Sequence, residues 1–235
     1  MNEKNANEKN RQMWTELHKD SRHQVKYPRE DVVRFVFRNF VRNGGSRVLD
    51  LGCGAGRHVI FMAQENIIPY GLDFSASGVA HTQSWLEEIG LGKYSGNIQV
   101  GTVTDIPYED EMFDGLFCIG VLLYLGTEDI KKAVSEIYRV LRRGGKAFIL
   151  MRSTDDYRCK SPDAVPTKER NTFIVGEHDT TRSANCENGM LMHFVEREEL
   201  EELFQGFQSV VIDRVTVTHD NESYADDDFW ITCVK

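Results

Sequence analysis

The chain has 235 residues, with 28 basic and 37 acidic side chains and a formal charge of −9; 40% of it is apolar and 28% charged. That is ordinary usage for one globular domain able to bury most of its unfolded surface. The acidic balance argues against a nucleic-acid binder, which carries a basic footprint, and no run of about 18 apolar residues offers a membrane span.

Residues 1–27 are polar, with Trp14, Leu17 and Tyr27 as the main large apolar points, and read as a loosely held helix and an arm. They lack the apolar core of a signal peptide. Tyr27-Pro28 breaks the chain, and the apolar spacing over 30–41 predicts a helix ended by Asn43-Gly44-Gly45. Strands are expected at 47–51, 67–73, 97–101, 113–120 and 146–151. Helices are expected between them at 56–65, 75–89 (N-capped by Ser75) and 128–142, the last stopped by Gly144-Gly145. Residues 152–193 form a long polar insertion with a small hairpin from 173–175 and 190–194. A helix at 196–205 precedes two strands, 207–218 and 229–234. Asp220, Glu222, Asp226, Asp227 and Asp228 lie between those strands and read as a solvated acidic loop.

Strands alternating with helices imply a parallel sheet covered on both faces. The last two strands have no helix between them, so they close the sheet as a hairpin. The expected fold is an α/β three-layer sandwich, its seven-stranded sheet mostly parallel and ending in an antiparallel β-hairpin. We divide the single domain into an N-terminal helical cap (1–45), a core (46–151), a roof over the substrate (152–195) and a terminal helix and hairpin (196–235). Five cysteines without a C-x-x-C pair argue for a reducing, cytoplasmic compartment and against a disulfide framework. The His and acid positions show no metal-ligand spacing, so no metal is expected.

VLDLGCGAGRH, residues 48–58, sets a strand, a glycine turn and a helix in succession. Ligands of open α/β sheets bind outside the carboxyl ends of the strands. Gly52 and Gly54 let a ligand approach the backbone. A dinucleotide turn wants a small third residue, and Arg57 stands there, which weakens that reading. Asp50, Asp73 and Asp105 end successive strands; three acids would repel a pyrophosphate and suit a cationic, phosphate-free cofactor such as an adenosyl sulfonium.

These residues resemble motif I of the class I S-adenosylmethionine-dependent methyltransferases. The segments 113–125 and 136–150 are similar to that family's fourth-strand and fifth-strand motifs. The resemblance implies that Asp50, Gly52, Cys53 and Gly54 line the methionine end of S-adenosylmethionine. It implies that Asp73 binds the ribose with Phe74 against the adenine, that Ser75 is a further cofactor contact, that Asp105 and Ile106 hold the adenine amine and edge, and that Ile119 lies beside the methionine moiety. Trp14, Tyr27 and Arg57 are further cofactor candidates; Trp14 reads equally as a helix staple. Tyr124 stands where many relatives carry His. Cys53 and Cys118 also read as small core fillers, and His58 and His81 as helix-surface residues.

Tyr124 and His193 are the catalytic candidates should the acceptor need a base. Arg152 and His193 are the substrate candidates, with Arg152 binding either an acidic substrate or a loop carboxylate. The implied activity is methyl transfer by in-line displacement to a small soluble acceptor, by a monomer or homodimer with no nucleic-acid or membrane partner. A non-catalytic S-adenosylmethionine binder and an NAD(P)-dependent oxidoreductase are the alternatives.

Overall fold

The computed structural model describes residues 3–235, and the side chains of all of these but 3–6 and 183. Met1 and Asn2, at the head of the expected helical cap, lie outside the described residues. The polar N-terminal segment forms α1 (Glu3–Leu17), and α2 (Glu30–Asn39) follows the proline break. Then come β1 (Arg47–Leu51), α3 (Arg57–Gln64), β2 (Ile68–Asp73), α4 (Ala76–Glu88), β3 (Ile98–Val100), β4 (Phe113–Ile119), α5 (Thr127–Val140) and β5 (Leu141–Arg152). The insertion carries β6 (Val165–Pro166), β7 (Thr172–Ile174) and β8 (Leu191–His193). α6 (Arg197–Leu203), β9 (Ser209–His219) and β10 (Tyr224–Val234) complete the chain.

The main sheet has seven strands in the order β3-β2-β1-β4-β5-β10-β9, and β10 runs antiparallel to both of its neighbours. This is the expected α/β sandwich. Alternate residues of the buried strands feed opposite layers. Leu49 and Leu51 of β1 pack with Leu116 of β4 against Ile130 and Ile137 of α5 and Leu200 of α6. Val48 and Phe117 face Phe35 of α2 and Met62 of α3 on the other side. The sheet reverses direction of growth at β1 and β4, so the crevice above their carboxyl ends is the topological switch point. In the insertion, β7 and β8 pair antiparallel as expected, and β6 adds a third strand. Among the described residues no helix is long and apolar enough to cross a membrane.

Three local expectations are corrected. α5 ends at Val140, and Gly144-Gly145 lie inside β5, where residues 142–145 bulge out between the partners of Phe113 and Gly115. His58 is not on a helix surface but 5% exposed against Asp50. The acidic loop shrinks to a turn over 220–223, since Tyr224 already pairs with His219. Asp226, Asp227 and Asp228 lie in β10, each against cations from elsewhere in the chain. Asp226 accepts from Arg158 Nη1 at 2.7 Å, Asp227 from Arg214 Nε at 2.9 Å and Asp228 from Arg152 Nη1 at 3.3 Å. Asp227 also accepts from the Ser153 and Thr216 hydroxyls. Cations far off in sequence turn an acid run into the inner wall of a strand.

Candidate active site

β1 delivers the chain at Leu51 into a turn that favours glycine. Gly52, Gly54 and Gly56 have φ of +86°, +49° and +90°. A Cβ on Gly52 would overlap the Val121 side chain, and one on Gly56 the Thr82 side chain. The Gly52 and Cys53 amides both donate to Leu72 O, at 2.7 and 3.1 Å, which ties the turn to the end of β2.

Above the turn lies a cavity of about 490 Å³, walled by the glycine turn, Asp73-Phe74, residues 101–104, residues 119–121 and one face of α1. Asp50 lines its floor at 2% exposure, and Asp50 Oδ2 has no hydrogen-bond partner. The nearest cation candidate, His58 Nδ1, is 3.5 Å away. Arg57, at the head of α3, lines the same cavity; it is half-buried and makes no hydrogen bond or ion pair among the described residues. Burial pulls its guanidinium below its ordinary value, while Asp50 pulls the other way. A buried carboxylate oxygen and a cation both lacking partners are costly unless a ligand supplies them.

Asp73 is 6% exposed and accepts two amides, Gly54 N at Oδ2 and Ser75 N at Oδ1, both at 2.8 Å. Burial raises its carboxyl above the usual range against the opposing pull of those amides and of His18. Phe74 forms the next stretch of wall, with the Arg11 guanidinium 5.6 Å above its ring. Trp14 meets Tyr124 edge-on at 5.3 Å near Ile119. The Tyr124 hydroxyl donates to Glu187 Oε1 at 2.6 Å; burial, then Glu187, pushes the phenol well above its ordinary value.

The structure therefore gathers Trp14, Asp50, Gly52, Cys53, Gly54, Arg57, Asp73, Phe74, Ile119 and Tyr124 around one cavity. Other candidates stand elsewhere. Ser75 is fully buried as the α4 N-cap, its hydroxyl accepting from Gly78 N. Asp105 is exposed because the turn bridging it to Thr102 directs residues 101–104 inward instead. Ile106 belongs to the core behind, its amide donating to Glu136 Oε2 at 2.7 Å. Tyr27 is 74% exposed, and His23 and Val25 of the same arm reach the cavity in its place.

His193 is 1% exposed in a separate hollow, its Nδ1 bonded to Thr172 Oγ1 at 2.7 Å and its Nε2 to Glu199 Oε1 at 2.8 Å. With both nitrogens engaged outside the cavity, His193 stands apart from the glycine turn and Asp73. Arg152 likewise serves the chain's own carboxylates, Asp156 at 3.0 Å and Asp228 at 3.3 Å.

Sequence reasoning missed the inner face of α1. Asn7, Asn10, Arg11 and His18 line the cavity beside Trp14. Asn7, Asn10, Arg11 and Trp14 fall at i, i+3, i+4 and i+7, with His18 one turn further on; that spacing is the signal, hidden because all but Trp14 are polar.

Residues 48–145 match the methyltransferase-domain family. The chain is 28% identical over 143 residues to the O-methyltransferase resE of Aspergillus sclerotiorum, covering 58% of this chain and 50% of that protein. It is 29% identical over 127 residues to the ubiquinone/menaquinone biosynthesis C-methyltransferase UbiE of Geotalea daltonii, covering 52% of each. The matches thus span about half the length of these curated relatives. In fold it is similar to a SAM-dependent methyltransferase of Methanosarcina mazei, with a TM-score of 0.63 and 16% identity over 86% of this chain and 96% of that one. The glycine turn, the strand-end acids and the sheet order agree with these likenesses: residues 48–145 match a methyltransferase domain, and the fold as a whole is similar to that of a SAM-dependent methyltransferase.

Proposed function

We propose that the protein binds S-adenosylmethionine in this cavity and transfers its methyl group to a small-molecule acceptor. The observation that carries the reading is the pair of unpartnered opposite charges flanking the glycine turn. Asp50 Oδ2 is a free acceptor for an α-ammonium, and Arg57 a free donor for an α-carboxylate. Gly52 and Gly54 leave the space between them open. Asp73 would take the ribose hydroxyls, and Phe74 with residues 101–104 would flank the adenine. A pyrophosphate would instead lie against Asp50 and Asp73, which disfavours a dinucleotide.

The bound cofactor supplies a methyl group already activated on a sulfonium, so what is asked of the chain is alignment and exclusion of water. Trp14 and Tyr124 close the methionine end against Ile119. Tyr124 keeps its proton at neutral pH and points it at Glu187, so it shapes and orients the acceptor end rather than accepting a proton.

The test is calorimetric titration with S-adenosylmethionine, S-adenosylhomocysteine and NADH, followed by transfer of labelled methyl to a metabolite panel. The first two should bind saturably and NADH should not. Asp50→Ala should lose tenfold or more in affinity, since a charge-assisted hydrogen bond is worth about 1.5–3 kcal/mol. Binding of NADH alone, or an unchanged Asp50→Ala, would overturn the assignment.

A further inference from the structure

His18 follows α1, its amide donating to Trp14 O at 2.9 Å and its carbonyl accepting from Gln24 Nε2 at 3.0 Å. Those bonds hold its ring on the cavity wall. Two glycines lie beneath it. A Cβ on Gly54 of the turn would come 3.0 Å from His18 Nε2, and one on Gly78 of α4 would come 3.1 Å from Nδ1 and 2.8 Å from Gly54 O. The backbone is thus cleared in two separate elements where this ring sits.

The ring is chemically idle as it stands. Nδ1 is buried without a partner, and Nε2 makes no hydrogen bond among the described residues. Asp73 lies near enough to pull on its protonation, as do His23 and His81 in the opposite sense. Burial outweighs that pull and moves the imidazole below its ordinary value, so at neutral pH it offers one donor and one acceptor.

We propose that His18 is a cofactor-binding residue that reads the ribose diol together with Asp73, the two side chains supplying donor and acceptors to adjacent hydroxyls. The complementarity is chemical. A vicinal diol presents two O–H donors and two oxygen acceptors, whereas a carboxylate can only accept. Asp73 already spends one acceptor site of each oxygen on a backbone amide, and the imidazole provides the donor that the carboxylate lacks. The inference rests on the assignment of the cavity to S-adenosylmethionine.

The experiment titrates S-adenosylhomocysteine and its 2′,3′-dideoxy analogue into the parent protein, His18→Ala and His18→Gln. The parent should prefer the ribose ligand. His18→Ala should weaken S-adenosylhomocysteine about fivefold to tenfold, one neutral hydrogen bond's worth, and leave the dideoxy analogue within twofold of the parent. His18→Gln, which keeps a donor and an acceptor, should recover part of the preference. Equal weakening of both ligands by His18→Ala would make the ring packing alone and overturn the inference, as would no weakening of either. A parent protein that binds neither ligand would overturn the cofactor assignment itself, which is a distinct result.

Discussion

Asn10 offers the sharpest test of how the cavity is closed. It is 3% exposed in the middle of α1, an unusual place for an amide. Its Nδ2 donates to Tyr124 O at 3.0 Å and Leu191 O at 2.9 Å, and its Oδ1 accepts from Leu191 N at 3.0 Å. The side chain thus acts as a surrogate peptide group on the free edge of β8 and pins α1 to both the roof and the cavity wall. Asn10→Ala leaves three buried backbone groups without partners, at about 1–3 kcal/mol each if nothing moves. The structure will not hold all of that strain, because α1 can lift and let water reach those groups. Among the described residues the other polar attachments include Lys9 Nζ to Gly189 O at 2.9 Å, Asn7 to Asp129 at 3.0 Å, and Ser77 to Thr15 O at 3.1 Å. We therefore expect local opening of α1 to become easier by about 2–3 kcal/mol, with a smaller loss of global stability. Amide exchange should show this as a roughly 30- to 150-fold loss of protection confined to α1 and the β8 edge. Affinity for S-adenosylhomocysteine should fall with it, since Trp14 and His18 ride on that segment. Unchanged protection in α1, or loss spread evenly over the sheet, would refute the latch.

Two further outcomes follow from the corrected elements. Burial, reinforced by Asp156 and Asp226, pushes the Asp228 carboxyl up to about 6 from 3.8 in spite of Arg152 and Arg29. The folded state therefore holds that proton more tightly, and stability from this group is highest below pH 4 and falls as the pH rises through 6. Asp228→Asn should be more stable than the parent at pH 8 by about 1–2 kcal/mol, after a discount for partial exposure, and equal to it near pH 4. Thermal melts across that range check it, and a variant less stable at pH 8 would contradict it. His193→Ala should lower the melting temperature by several degrees through loss of its bonds to Thr172 and Glu199, yet leave S-adenosylhomocysteine affinity within twofold. A variant with parental stability and lost turnover would return His193 to catalysis.

Local periodicity carried most of the architecture. The alternation of short apolar runs with amphipathic helices already implied a parallel sheet, and the missing helix before 229–234 implied the antiparallel return. The glycine turn was legible because backbone at positive φ leaves few residue choices, and Asp50, Asp73 and Phe74 were legible because they end strands beside it. What the sequence could not decide was how charges far apart along the chain would meet. Arg152, Arg158 and Arg214 draw three aspartates into β10 that local composition assigns to solvent. The same holds for histidine. His58 and His193 are buried and His18 faces the cavity, yet nothing in their immediate neighbours distinguishes them. After the third strand, likewise, residues 101–104 form the wall while the very next residue, Asp105, is exposed. Secondary structure follows from the nearest few residues, whereas the partner of a buried charge depends on which strands become neighbours, and only the folded sheet settles that.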